Sequence, residues 1–401
     1  MLRGGSRMAS RGVNKQSTRV GPDVEPVLII GAGPAGLAAA AELRHHGVPS
    51  RIIDRADAVA SSWRTRYDAL RLNTCRWNSV LRVGDRFAPG TPFFPLREHA
   101  VAYLENFAAK HEVDVQFGVQ VDLIESVPEG WRVCTSAGPM TARQVVVATG
   151  HQHTPWLPDW PGKDEYAGRI VHSWHYRNPQ EFQGLDVLVV GSGCSGLDIA
   201  RDLAQGGAAH VQVAVRTQPN LLRKKSLGLP TDLLAAALYR APVRVADSAG
   251  RFVQRSSIGD LRKSGLGRPK EGIFTGLHRD GSPPVIVGDD VFDAIRNRQF
   301  KIVASVSSVG ADGVRLADGT MLQPDAIIAA TGYTSGLTSV VGHLGVLDER
   351  GNPLNYRQPA VQPGLHFLGY APCMGVIGRD AKRVMRHVLA ELNSPTFSAS
   401  S

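Results

Sequence analysis

With 401 residues, 43% hydrophobic and 20% charged, the chain has the balance of a soluble globular protein and is too long for one small core, so two or three domains are expected. Its four cysteines include no C-x-x-C pair, which excludes a disulfide framework and a paired-cysteine redox centre and fits a reducing, cytoplasmic setting. The formal charge of +9 is partly gathered at the start of the chain, in Arg3, Arg7, Arg11, Lys15 and Arg19, without the interleaved aromatics of a nucleic-acid-binding motif. Residues 1–22 read as a disordered leader, with Met8 as a second start; a mitochondrial-type transit peptide is the alternative. No run approaches the ~18 apolar residues of a membrane span, so no stable membrane insertion is expected.

The first element pairs the apolar run Val27-Leu28-Ile29-Ile30 with Gly31-Ala32-Gly33-Pro34-Ala35-Gly36. This is the dinucleotide fingerprint, whose glycines make a tight turn, admit a pyrophosphate and pack helix on strand. The phosphates would sit on the free N–H groups of a helix N-terminus. Arg51-Ile52-Ile53-Asp54 follows, with Asp54 roughly 20 residues past the turn, where a carboxylate accepts ribose hydroxyls and repels a 2′-phosphate. Residues 24–60 thus form a βαβ unit, 61–96 loops, and 99–111 a helix. Val145-Val146-Val147 runs into Ala148-Thr149-Gly150, and Pro155, Pro158 and Pro161 mark a domain crossing.

A second fingerprint, Gly191-Ser192-Gly193-Cys194-Ser195-Gly196, follows Val187-Leu188-Val189-Val190. Its second strand ends in Arg216-Thr217. A guanidinium forks onto a phosphate, so this site reads as NADP(H). Residues 218–285 are basic and irregular and read as an inserted subdomain. Within it Arg223-Lys224-Lys225 reads as a solvated basic loop, with help to Arg216 as the alternative. The strand from Asp325 ends in Thr331-Gly332-Tyr333, a short strand covers 365–369, and a helix closes residues 378–392. The expected architecture is α/β: a first nucleotide domain at 23–158 and 325–392, interrupted by a second at 159–324, with a flexible tail at 393–401.

Tyr166-Ala167-Gly168-Arg169-Ile170-Val171-His172-Ser173-Trp174-His175-Tyr176 resembles the F-x-G-x-x-x-H-x-x-x-F/Y signature of class B flavoprotein monooxygenases, with Tyr166 for the usual Phe. The order of two fingerprints around this signature, then A-T-G-Y, is similar to that of flavin-containing monooxygenases. Gly265–Pro269 and Pro284–Ile286 resemble YUCCA-type and related bacterial members. The resemblance covers residues 25–392. It implies FAD on Gly31, Gly33, Pro34, Ala35, Gly36, Asp54, Arg55, Trp63, Val121, Thr149 and Gly150, NADPH on Gly191, Ser192, Gly193, Ser195, Gly196, Arg216 and Thr217, and further cofactor contacts from Thr331, Gly332 and Tyr333. It implies a C4a-(hydro)peroxyflavin that passes one oxygen atom of O2 to a small organic substrate, by N- or S-oxygenation or by oxidative decarboxylation of a 2-oxo acid. Asn73 lies where flavin-containing monooxygenases carry an Asn near the flavin, and is the catalytic candidate as a hydrogen-bond donor. YUCCA-type sequences tend to carry His there.

Gly168 and His172 are expected to link the two domains, with acid–base work by His172 as the alternative. The start of the last helix, with Gly375, Gly378 and Asp380, is expected to face the flavin pyrimidine. The pairs His151/His153 and His172/His175 lack the further ligands of a metal site, so no metal is expected. Rival readings are an NADPH oxidase or flavin reductase releasing peroxide, and a Baeyer–Villiger enzyme, against which Tyr176-Arg177 stands where Trp-Pro is usual. A homodimer is compatible with the sequence; no nucleic-acid partner is expected.

Overall fold

The computed structural model describes residues 24–280, 283–357, 359–371 and 373–394. The basic leader and the tail beyond Ser394 lie outside them. Two sheets dominate. In the first, Val115–Phe117, Arg51–Asp54, Val24–Ile30 and Met140–Val147 run parallel in that order. Met140–Val147 then divides its far edge. Its early residues pair with the antiparallel hairpin Val121–Val127/Gly130–Thr135, and Val145–Val147 pair with Leu365–Phe367. The second sheet is parallel throughout, in the order Lys301–Ala304, His210–Val215, Asp186–Val190, Ala326–Ala329, Arg169–His172.

Each central strand is a continuous apolar run because helices or loops cover both faces. Val27, Leu28 and Ile29 are fully buried, as are Leu188 and Val189. The fingerprint helices Pro34–His45 and Cys194–Gln205 pack on these strands through their alanine- and leucine-rich faces. The closing helix, Met374–Leu392, lies against the first of them.

Two expectations change. The chain does not return to the first unit at 325. Ala326–Ala329 is held between Asp186–Val190 and Arg169–His172 of the second sheet; an apolar strand fits either sheet, and pairing decides. The crossing back comes at Tyr333-Thr334, which pairs with Thr154-Pro155 of the proline-rich link. Residues 218–285 are largely helical rather than irregular, with helices Thr231–Leu238, Val243–Ile258 and Ile273–Asp280. The inward face of Val243–Ile258 shows Ala246, Asp247, Gly250 and Ile258 at helical spacing.

Candidate dinucleotide and oxygenation site

Both fingerprints fold as strand–turn–helix, and each glycine has a distinct reason. Gly31 and Gly191 have φ of +109° and +118°, and a Cβ there would lie 2.8 Å from the Ala148 carbonyl oxygen and 2.4 Å from that of Ala330. A Cβ on Gly36 would lie 1.8 Å from the Gly31 carbonyl oxygen, and one on Gly196 2.0 Å from that of Gly191. Gly33 and Gly193 face open space, with nothing within 4 Å of a Cβ. Each caps its helix without a side-chain hydrogen bond, and neither helix has an acid in its first turn. Two helix N-termini therefore present free N–H groups with no acid of their own first turn beside them, which fits a pyrophosphate at each.

Asp54 ties strand end to turn: its Oδ2 accepts from the Ala32 N–H at 2.6 Å and its Oδ1 from that of Ala56 at 2.8 Å. That places a carboxylate at the rim of the first cradle, beside exposed Arg55. Thr149 and Gly150 lie at the same edge, with Thr149 Oγ1 3.3 Å from the Tyr370 hydroxyl. Half-buried Trp63 packs on the core under the first fingerprint helix. Val121 opens the hairpin next to Val119, whose N–H bonds the Asp54 carbonyl at 2.9 Å. In the second cradle Ser192 and Ser195 are half-buried. Arg216 and Thr217 are exposed at the strand end, and Arg216 has no ion pair among the described residues. The basic run 223–225 is not a solvated loop. Arg223 pairs with Asp289 at 2.7 Å, Lys224 is only 9% exposed, and Lys225 alone faces solvent.

The signature residues gather at the crossing. His172 Nε2–H donates to the Gly332 carbonyl at 3.0 Å, and its Nδ1 accepts from the Trp174 N–H at 3.0 Å. Both nitrogens are used, which fixes the neutral tautomer and leaves no free site for proton transfer. Gly168 must lack a side chain because the Tyr166 ring lies 2.6 Å from where its Cβ would be, and the Tyr166 hydroxyl bonds the Pro324 carbonyl. Thr331 Oγ1 donates to the Trp156 carbonyl at 2.5 Å. The Tyr333 hydroxyl accepts from Arg66 at 2.7 Å, and the same guanidinium lies 5.0 Å from the Trp174 ring and 5.1 Å from that of Tyr333.

Asn73 lies on the loop between these units, and its Oδ1 is buried without a partner among the described residues. An orphaned amide end is costly, about 1–3 kcal/mol, so it fits a site that a ligand completes. The last helix begins against the loop that follows: a Cβ on Gly375 would meet the Asn78 carbonyl at 2.1 Å, and one on Gly378 the Leu81 carbonyl at 2.0 Å. Just upstream, Gly369 approaches Ala35 of the first fingerprint, 2.6 Å from its would-be Cβ. The start of the last helix thus lies on residues 78–81, which follow Asn73 in the chain, and the segment leading into it touches the first fingerprint helix.

The profile of the family described as pyridine nucleotide-disulphide oxidoreductase matches residues 28–229. Indole-3-pyruvate monooxygenase YUCCA1 of Oryza sativa subsp. japonica is 37% identical over 333 residues, covering 82% of this chain and 81% of the rice enzyme. Indole-3-pyruvate monooxygenase YUCCA8 of Oryza sativa subsp. indica is 34% identical, with 88% of each chain covered. The chain belongs to the YUCCA-type flavin-dependent monooxygenases. Among solved structures, a flavin-containing monooxygenase from Stenotrophomonas maltophilia superposes with a TM-score of 0.70 at 23% identity, covering 92% of this chain and 99% of the other. OTEMO in complex with FAD and NADP gives 0.68 at 20%, covering 92% and 84%. These share the fold.

In this YUCCA-type monooxygenase, sequence reasoning missed Arg66 and Trp174, whose roles arise only when the 60s loop meets the crossing. It also missed the charged residues Asp198 and Asp232. Signals existed for neither: Asp198 lies on an amphipathic helix and Asp232 in a helix's first turn, places where an acid is ordinarily solvated.

The crossing gives a pH prediction. Burial disfavours the His172 imidazolium and lowers its pKa below the ordinary histidine value. The unfolded chain therefore takes up this proton first. Stability from the neutral ring is complete above about pH 6.5 and is lost as pH falls below it. The melting temperature should drop more steeply from pH 7 to pH 5 in the parent than in His172→Gln; parallel profiles would remove His172 from this role.

Proposed function

We propose that FAD occupies the Gly31–Gly36 cradle and NADPH the Gly191–Gly196 cradle, and that the enzyme converts an aryl 2-oxo acid to the carboxylic acid one carbon shorter. In balance, the 2-oxo acid, O2, NADPH and a proton give the carboxylic acid, CO2, NADP+ and water. The observation that carries the substrate class is the 37% identity, over 82% of the chain, to an enzyme named for indole-3-pyruvate. Asp54 supports ribose hydroxyls without a 2′-phosphate in the first cradle, and exposed Arg216, without an ion pair among the described residues, supports a 2′-phosphate in the second. When bound, the flavin accepts hydride and activates O2. The chain supplies orientation and a dry site. Asn73 offers a preorganised amide that either end can present after a half-turn about its terminal bond. The last helix offers an uncapped N-terminus, free of acids in its first turn, where negative charge is stabilised.

Asn73 also favours a second reading, N- or S-oxygenation, because the YUCCA-type sequences tend to carry His there. The two separate in one assay. With indole-3-pyruvate, CO2 and indole-3-acetate should form in step with NADPH loss, while a tertiary amine and a sulfide turn over poorly. Amine oxide or sulfoxide without CO2 would reverse the assignment. Asn73→Ala should lower product formation about tenfold, the worth of one hydrogen bond, and raise peroxide per NADPH. An unchanged peroxide yield would remove Asn73 from the reacting site.

A further inference from the structure

The stretch 67–75, which carries Asn73, is gripped from the second nucleotide unit by three charged side chains, each less than a tenth exposed. Asp198, on the second fingerprint helix, accepts the Tyr67 hydroxyl on Oδ2 at 3.1 Å. Lys224 donates from Nζ to the Arg71 carbonyl at 3.3 Å. Asp232 accepts on Oδ2 from the Cys75 N–H at 3.2 Å and from Asn78 Nδ2 at 3.0 Å. The anchors at 67, 71 and 75 bracket Asn73. The remaining ties near it come from the first unit itself: the Leu72 N–H bonds the Pro95 carbonyl at 2.8 Å, the Arg97 N–H the Leu70 carbonyl at 3.0 Å, and the Ser79 hydroxyl donates to the Thr74 and Cys75 carbonyls at 3.3 and 2.9 Å.

Burying charges without a direct ion pair is costly, several kcal/mol each before compensation. Burial drives the Asp198 carboxyl up to about 6 and pulls the Lys224 ammonium down. Arg201, Asp290, Arg71 and Cys194 complete the charged and titratable surroundings of this pair. Neutral side chains could pin a loop at lower cost. What these anchors share is their origin. Asp198 lies within two turns of the free N–H groups at Gly193, and the Ser195 side chain faces the same Tyr67 hydroxyl. Lys224 and Asp232 belong to the segment that follows Arg216 and Thr217 at the strand end, with Lys224 backbone-bonded to Val287 and Thr231.

We propose that Asp198, Lys224 and Asp232 are positioning residues that couple occupancy of the second cradle to the placement of Asn73. A dinucleotide that orders the fingerprint helix and the strand end also orders the three anchors, and through them the amide at the reacting edge. The proposal rests on the reading of Asn73 given above, and it supplies that reading with a control over when the amide is in place.

Hydrogen exchange of the FAD-loaded enzyme, with and without saturating NADP+, tests this directly. NADP+ should slow exchange across 67–75 in the parent. Tyr67→Phe, which removes one oxygen, and Lys224→Met, which keeps the stem but not the charge, should each cut that slowing about tenfold, the factor for a hydrogen bond to a charged group. Lys224→Arg should restore it, together with a low peroxide yield per NADPH. A merely structural lysine would show no such ligand-dependent rescue. Absence of slowing in the parent, or undiminished slowing in both variants, overturns the proposal. Asn73→Ala should keep the slowing, so an error about Asn73 itself appears in its peroxide yield and not in the exchange.

Discussion

Gly36→Ala is expected to give a poorly folded, colourless protein, whereas Gly33→Ala folds normally and fails only to hold the flavin. The added methyl at 36 would lie 1.8 Å from the Gly31 carbonyl oxygen, a backbone atom fixed by the turn it belongs to. The helix must lift from its strand, at a cost of about 3 kcal/mol or more, a large share of a domain's stability. At 33 the methyl meets no protein atom within 4 Å, and the extended backbone at φ −81° suits alanine. The same methyl fills the space where a pyrophosphate would approach. Melting curves of the flavin-free proteins should place Gly33→Ala within about 2 °C of the parent, with Gly36→Ala far below. Visible absorbance after reconstitution should be lost in both. Retention of flavin by Gly33→Ala would mean that this cradle holds no phosphate.

Arg216→Ala should erase the preference for NADPH over NADH. The guanidinium is exposed and has no competing ion pair among the described residues. Its loss removes a forked, charge-assisted contact to the 2′-phosphate and nothing from the fold. The preference, measured as the ratio of kcat/KM values, should fall about a hundredfold, almost entirely through KM for NADPH. NADH, which has no 2′-phosphate, should be used as before. A preference that survives the change would place the 2′-phosphate elsewhere.

The nucleotide folds were legible because their residues act locally. Gly31 and Gly36 meet within one turn, and Val27–Ile30 must be buried on both faces wherever the sheet lies. The position of Ala326–Ala329 was not legible, because four apolar residues do not state which sheet they enter. The helices within 218–285 escaped for a different reason. Val243–Ile258 carries arginines and serines outward in such number that its apolar face is narrow. The function of Asn73 could be suspected from its segment. Its orphaned oxygen, and the anchors that come from residues 198, 224 and 232, depend on contacts across more than a hundred residues of sequence. No periodicity encodes those. His172 could be singled out from its signature, but the two hydrogen bonds that saturate its ring, to the Gly332 carbonyl and from the Trp174 N–H, could not.

The central claim is that electrons pass from NADPH to a flavin in the neighbouring cradle and that one atom of O2 then enters an organic molecule. Turnover of indole-3-pyruvate under isotopically labelled O2 tests it most directly. The account predicts one labelled oxygen in the carboxylic acid for each NADPH consumed, with little hydrogen peroxide. NADPH consumed with all of the label recovered as peroxide, and none in any organic product, would contradict it.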